Sequence, residues 1–286
     1  MDLKFPLPRD TRQKFSPEFG RIERQCSNLS LLLDRYVGYL EGWQFNEEQK
    51  TKFFHAIKSH FQFNDALVKA NHRRWQAIAQ SSPHAQTFTA TPEWRMVVGL
   101  GRSSILETSM MLDRITGIPI IPGSALKGLA ASYALLCVLE KTNRADEVEK
   151  TYQQYIKKEI ADLPEHLEDY IQVFGYQGNV GKVIFLDAVP TKTPTLEPDI
   201  MNNHYPEYYG DKDGGQAPTP YQNPIPVYFL TLGQKSQFAF AVAGKDNQPS
   251  TQELVEKARQ WLQAGLSDLG IGAKTAAGYG YLDIQS

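Results

Sequence analysis

The stretch DLGIGAKTAAGYGYLDI (Asp268–Ile284) decides how this chain is read, because it sets four glycines and one lysine between a helical pattern and a strand pattern. Upstream, Ser250–Asp268 carries Leu254, Ala258, Trp261, Leu262 and Leu266 at the spacing of one helix face. Ser250, with Glu253 three residues on, predicts a capping box at the start of that helix. Downstream, GYGYLDI reads as a strand. The order is therefore helix, loop, strand, whereas phosphate-binding glycine loops run strand, loop, helix. The residues fail those motifs as well. After Gly270 and Gly272 the third dinucleotide glycine is replaced by Thr275, and Lys274 follows Ala273 with Asp268 where the first P-loop glycine belongs. A mononucleotide cofactor is excluded on this pattern. Gly270, Gly272, Gly278 and Gly280 then make a loop that another backbone can approach closely, either as a binding surface or as a tight packing turn before an edge strand.

Working outward, the segments preceding the loop form an ordered series. EWRMVVGLG (Glu93–Gly101) and ILETSMMLDRI (Ile105–Ile115) read as extended, and IPGSALKG (Ile121–Gly128) as a turn entering a helix. KVIFLDAVP (Lys182–Pro190), IPVYFLTLG (Ile225–Gly233) and SQFAFAVAG (Ser236–Gly244) read as strands. Strand, helix, strand, strand, helix, strand is an α+β, modified ferredoxin-like (RRM-like) βαββαβ core. The first 80 residues are expected to be helical, with Leu29, Leu32, Leu33 and Tyr36 on one face and Asn46 as the N-cap of a helix carrying Phe53, Phe54 and Ile57. AQSSPHAQTFTATPE (Ala79–Glu93) punctuates the chain, which predicts a helical N-terminal region over 1–90 and a core over 91–286. A long irregular insertion is expected at about 190–226, where prolines and glycines oppose a long helix or central strand. Its tyrosines, Tyr205, Tyr208, Tyr209 and Tyr221, favour an ordered excursion.

Composition narrows the class. The 286 residues are 41% hydrophobic and 22% charged, as in globular proteins. No apolar run is long enough for a membrane span, and the N-terminal residues lack the apolar segment of a signal peptide. Cys26 and Cys137 form no metal or disulfide motif, so the expectation is a soluble cytoplasmic protein without zinc. Net charge is −2, divided as +4 over residues 1–80 and −6 over the rest, so nucleic-acid binding would need a local basic groove.

Within IPGSALKG, Ser124 is a good N-cap, but Lys127 in the first turn opposes the helix dipole at about 0.3–1 kcal/mol. Gly128 inside the helix costs about 1 kcal/mol relative to alanine. An anion held by the N-terminal N–H groups from Gly123 onward, Ser124 and Lys127, with Gly128 allowing close approach, accounts for both penalties. The alternative is that Lys127 reaches solvent and Gly128 packs on a strand. His204, beside tyrosines in the insertion, is a candidate for metal-free acid–base chemistry. Asp187, Asp199, Asp211 and Asp213 show no metal-site spacing.

Four stretches together, Val97–Ala134, Lys182–Pro190, NPIPVYFLTLG and LGIGAKTAAGYGYL, resemble the RAMP superfamily of CRISPR-associated proteins, and among them the Cmr subunits of type III-B effectors. The resemblance runs in one order from about Val97 to Leu282. It implies a ferredoxin-like fold with inserts and a non-catalytic subunit near the crRNA 3′ end, stacked on backbone subunits in antiviral defence. The implied partners are crRNA, target RNA and other Cmr complex subunits, with no membrane and no cofactor. Carried over, Gly270, Gly272, Lys274, Gly278 and Gly280 form the RNA-facing loop, and Ser124 and Lys127 grip crRNA phosphates. KVIFLDAVP lacks the base-stacking aromatics of an RRM sheet, so recognition of backbone and shape is expected. Two other readings are a metal-free endoribonuclease using His204, a tyrosine and Lys274, and a pure protein–protein adaptor.

Overall fold

The computed structural model describes residues 5–14, 22–39, 46–142, 165–176, 178–203 and 224–285, with isolated positions between 150 and 157 and between 205 and 219. His204, Tyr209, Asp213 and Tyr221 lie outside the described residues. In chain order the elements begin with α1 (Arg9–Lys14), α2 (Ile22–Gln25), α3 (Leu29–Arg35), α4 (Glu47–His60) and α5 (Asp65–Ser81). Then come β1 (Gln86–Pro92), β2 (Arg95–Met96), α6 (Gly123–Thr142), α7 (Glu165–Phe174), β3 (Gly175–Tyr176) and β4 (Asn179–Val180). The series ends with β5 (Val183–Phe185), β6 (Val189–Pro190), β7 (Leu196–Asn203), β8 (Ile225–Gly233), β9 (Phe238–Gly244), α8 (Pro249–Asp268) and β10 (Leu282–Gln285). This is a mixed α+β protein with antiparallel sheets. It divides into two compact units, residues 1–64, 99–118 and 195–232, and residues 65–98, 119–194 and 233–286.

In the first unit, Asn28 caps α3 by accepting from Leu31 N at 3.0 Å, and Leu29, Leu32 and Leu33 are buried. Asn46 is the N-cap of α4, as expected, and Gln49 completes a reciprocal capping box with it. The α4 residue Lys50 is buried, and its ammonium donates to Glu47 at 2.8 Å and Glu107 at 2.9 Å. Burial pulls the Lys50 pKa down, but hydrogen bonds to the two carboxylates outweigh it and hold the group above its ordinary value. Ile105–Ile115, expected to be extended, lies within a largely turn-rich segment. The expected irregular insertion is also corrected in part. Leu196–Asn203 is a strand paired along its whole length with β8, from Leu196↔Leu232 to Asn203↔Ile225. Pro198 is tolerated there because, among the described residues outside the other unit, β7 pairs only with β8 and behaves as an edge.

The second unit holds the main sheet, in the order β10-β1-β9-β5, all antiparallel, with β6 also paired to β9. Its first strand is not the expected one. Gln86–Pro92 lies in the Thr/Ser/Pro-rich stretch read as punctuation, yet Phe88, Ala90 and Pro92 alternate into the core. Threonine is β-branched and suits a strand, and here that preference prevails over the polarity that suggested a boundary. Phe88 faces Phe240 across the sheet, with ring centroids 5.0 Å apart. All seven residues of β9 are buried, with Ala239 and Ala241 packed under Trp75 and Ala79 of α5. Trp75 Nε1 also donates to Asp187 O at 2.7 Å.

The capping box expected at Ser250 and Glu253 does not form. Gln248 is the N-cap of α8 without a side-chain bond, and Pro249 occupies the first turn. Asp246 supplies the polar entry instead, accepting from Gln248 N at 3.1 Å and Thr251 Oγ1 at 2.6 Å. Proline at that position moves the helix start ahead of Ser250, so the serine is already helical.

Replacing Trp75 by Phe removes the bond to Asp187 and part of the α5 anchor. The expected result is a loss of about 1–3 kcal/mol, read as a lower urea midpoint with an unchanged slope.

Candidate nucleic-acid interface

Two surface features in the second unit carry the residues singled out in the sequence. The first is the start of α6. The helix begins at Gly123, two residues earlier than Ser124 as N-cap would require, so Ser124 is an exposed first-turn residue. The capping group is Asp187, whose Oδ1 accepts from Gly123 N at 2.7 Å. Gly123 is required by space, since a Cβ there would lie 2.1 Å from Phe185 O. Gly128 is the opposite case. A Cβ on it would meet nothing within 4 Å, so it neither packs on a strand nor is sterically forced.

Lys127 does not simply reach solvent. Its Nζ donates to Phe174 O, the last carbonyl of α7, at 2.8 Å. A cation at a helix C-terminus is favourable, which offsets its unfavourable place in the first turn of α6. Burial, and then the neighbouring charge of Lys245, push the Lys127 ammonium below its ordinary pKa. It lines a cleft of about 470 Å³ with Gly175, Tyr176, Asn179 and Val180 from the β3–β4 hairpin. An ammonium has three N–H donors, so the Phe174 bond leaves capacity for an anion.

The second feature is the glycine loop between α8 and β10. Gly270, Gly272, Gly278 and Gly280 all have positive φ, and Lys274 shares that left-handed conformation at φ 64°. Two of the glycines are demanded by close approach. A Cβ on Gly272 would sit 2.3 Å from Val97 O, and one on Gly280 would sit 2.1 Å from Ile271 O. Most loop N–H groups serve the fold. Ile271 N donates to Gly280 O at 2.8 Å, Ala273 N to Val97 O at 2.9 Å and Gly280 N to Arg95 O at 2.8 Å. The packing-turn reading therefore describes Gly272 and Gly280, whereas Gly278 is exposed with open space beside it.

The two features stand apart. Gly123 sits beside Leu186, whose N–H bonds Ala241 O, and Ala241 pairs with Thr87. The glycine loop begins beyond the Pro92↔Leu282 pair. Five residues along β1 span about 17 Å, so a single phosphate cannot touch both.

The glycine loop also gathers residues that sequence reasoning passed over. Trp94 packs on Tyr279 with ring centroids 4.9 Å apart, Arg95 lies 5.2 Å from the Trp94 ring centre, and Lys274 Nζ lies 5.9 Å from that of Tyr279. Trp94 is 48% exposed while Tyr279 is buried. No spacing could have linked Trp94 to Tyr279, because only the pairing of β1 with β10 brings them together. Among the described residues, no group of His, Cys, Asp and Glu is placed to hold a metal ion, and no helix is long and apolar enough to cross a membrane.

A family model for the RAMP superfamily matches residues 89–283. The chain belongs to the RAMP superfamily. Of curated RAMP relatives, the CRISPR system Cmr subunit Cmr6 of Pyrococcus furiosus is 36% identical over 239 residues, covering 71% of this chain and 68% of the relative. The Cmr6 subunit of Saccharolobus solfataricus is 22% identical over 255 residues, covering 84% of this chain and 73% of the relative. A cryo-EM structure of the type III-B Cmr-beta complex bound to cognate target RNA contains a chain that matches with a TM-score of 0.59 at 20% identity, over 84% of this chain and 73% of that one. At that identity the match speaks to the fold alone. The crystal structure of Cmr6 from Pyrococcus furiosus aligns over 70% of this chain and 97% of its own, at 36% identity and a TM-score of 0.44. Both features of the candidate interface fall inside the RAMP match.

The two helix-start glycines predict opposite outcomes. Gly123→Ala forces a Cβ into a carbonyl and should cost about 1–3 kcal/mol, whereas Gly128→Ala should gain about 0.5–1 kcal/mol. Denaturant melts of both variants check this, and equal effects would contradict the assignment.

Proposed function

We propose that this RAMP protein is a non-catalytic RNA-binding subunit of a type III-B CRISPR effector, holding crRNA near its 3′ end and stacking on the backbone subunits. The observation that carries the reading is the 36% identity to a Cmr6 subunit over most of both chains. The sheet order favours a ferredoxin-like core. With β1, β5, β9 and β10 taken as its four strands, the order is fourth, first, third, second, with α6 and α8 as the two crossing helices. We take the core to start with β1, whose first residue, Gln86, lies just ahead of the family match at residue 89.

On this reading Lys127 and Lys274 contact separate guide phosphates, one at the start of α6 and one at the glycine loop. The exposed Ser124 and Gly128 keep the first approach open, Gly123 serves the fold by giving its N–H to Asp187, and the loop glycines hold the backbone that presents Lys274. The overall charge of −2 then requires that binding come from these local cations. Contacts of this kind read backbone, which suits a guide of varying sequence.

Binding of the purified chain to labelled single-stranded RNA, followed by anisotropy across a salt series with EDTA present, tests this. Lys127→Ala and Lys274→Ala should each weaken binding and lower the slope of log K against log salt by about 0.7 for every phosphate no longer neutralised. Unchanged slopes would remove both residues from the interface. RNA cut in EDTA would replace the subunit reading with a metal-free nuclease.

A further inference from the structure

We propose that Trp94 is a stacking platform for one unpaired RNA base, with Arg95 beside it and Lys274 beside Tyr279 to hold neighbouring phosphates. This rests on the RNA-binding reading above and adds a base contact to it. A lone exposed tryptophan would carry no meaning, since scattered apolar residues are normal on protein surfaces. Trp94 differs in how it is held. Its indole leans on the buried Tyr279 at an interplanar angle of 52°, and the Arg95 guanidinium lies 5.2 Å from its ring centre. The Arg95 backbone is fixed in turn by Gly280 N, and Glu93 N bonds Tyr281 O at 2.9 Å, so the segment is tied to the glycine loop on both sides of Trp94. Trp94 as a residue nevertheless remains about half exposed.

The surroundings favour a nucleic acid over a protein partner. Two cations are set against the two rings. Beside them Ala276, Ala277 and Gly278 are exposed, and the space next to Gly278 is clear, so no long side chain bars a backbone from approaching. The exposed Glu93, which precedes Trp94 in the chain, is an opposing charge in the same segment. Alternating aromatic and cationic groups are what single-stranded RNA binds, with stacking that tolerates any base because every base has a π-face. The sheet itself lacks such a platform, and this one stands at the end of β1 instead.

The test compares two labelled RNAs of equal length, an oligoadenylate and an abasic ribose-phosphate chain, binding to the full-length protein. Trp94→Leu keeps apolar bulk without a π-face. It should weaken oligoadenylate binding by about 5- to 100-fold, leave abasic binding and the salt slope unchanged, and be largely rescued by Trp94→Tyr. Equal losses on both RNAs, or no loss, would overturn the stacking assignment while leaving the RNA-binding reading in place. Failure of the wild-type protein to bind either RNA overturns both. A Trp94→Leu protein that binds RNA normally but no longer joins purified Cmr subunits would assign the indole to a protein contact and overturn the proposal. If Trp94→Leu does not fold, quenching of wild-type tryptophan fluorescence by oligoadenylate but not by the abasic chain, diminished in Trp94→Phe, reads the same contact. Identical quenching by the two RNAs counts against it.

Discussion

The second unit depends on a single short contact, the Gly123 N–H donated to the Asp187 carboxylate at 2.7 Å. It can form only because residue 123 has no side chain to strike Phe185 O. The same aspartate uses its carbonyl to receive the Trp75 indole. One residue at the break between β5 and β6 therefore starts α6 and anchors α5. The break is what exposes both groups of Asp187, for a residue in the middle of an unbroken ladder would have its carbonyl committed to a neighbouring strand. Ile121 and Ala188 bond each other on the adjoining step, so the turn into α6 is pinned to the sheet just before the helix begins.

The glycine loop follows a different logic from a phosphate-binding nest. A nest points successive N–H groups at an anion, but here Ile271, Ala273 and Gly280 give theirs to other carbonyls of the protein. What the loop offers outward is side chains and bare backbone, with Lys274 fixed in a left-handed conformation that lysine adopts at a cost of about 1–2 kcal/mol. Backbone bonding on both sides holds it there, because Ala273 N is tied to Val97 O while Ala277 N and Tyr279 N both turn back to Lys274 O. The loop thus presents a cation in a defined place, which a flexible lysine on a helix face would not.

Much of this was legible in the sequence, for reasons that are local. The helix before the glycine loop, the strand after it and the burial of Phe238 and Phe240 all follow from periodicity over a few residues. The Asn46 N-cap is equally local. What escaped was decided at a distance. Gln86–Pro92 has the composition of a loop, and only its pairing with β9 and β10 makes it a strand. Leu196–Asn203 contains a proline and became a strand because β8 offered a complete partner. Asp187 was visible as an acidic residue, but its partner is Gly123, and no motif spans that separation. Trp94 and Tyr279 are further apart still. The loop was recognised from its glycines, yet the aromatic and cationic groups around it belong to another part of the chain.

The partners of β1 lie roughly 150 and 190 residues downstream, separations at which loop closure makes pairing slow. A chain leaving the ribosome therefore presents β1 with both edges open while its partners are still being made. Its threonines and Pro92 moderate the hazard, since polar side chains and proline discourage wrong pairing between exposed strands. The polar composition that disguised this strand thus has a use during synthesis, as protection for a segment that must wait for its neighbours.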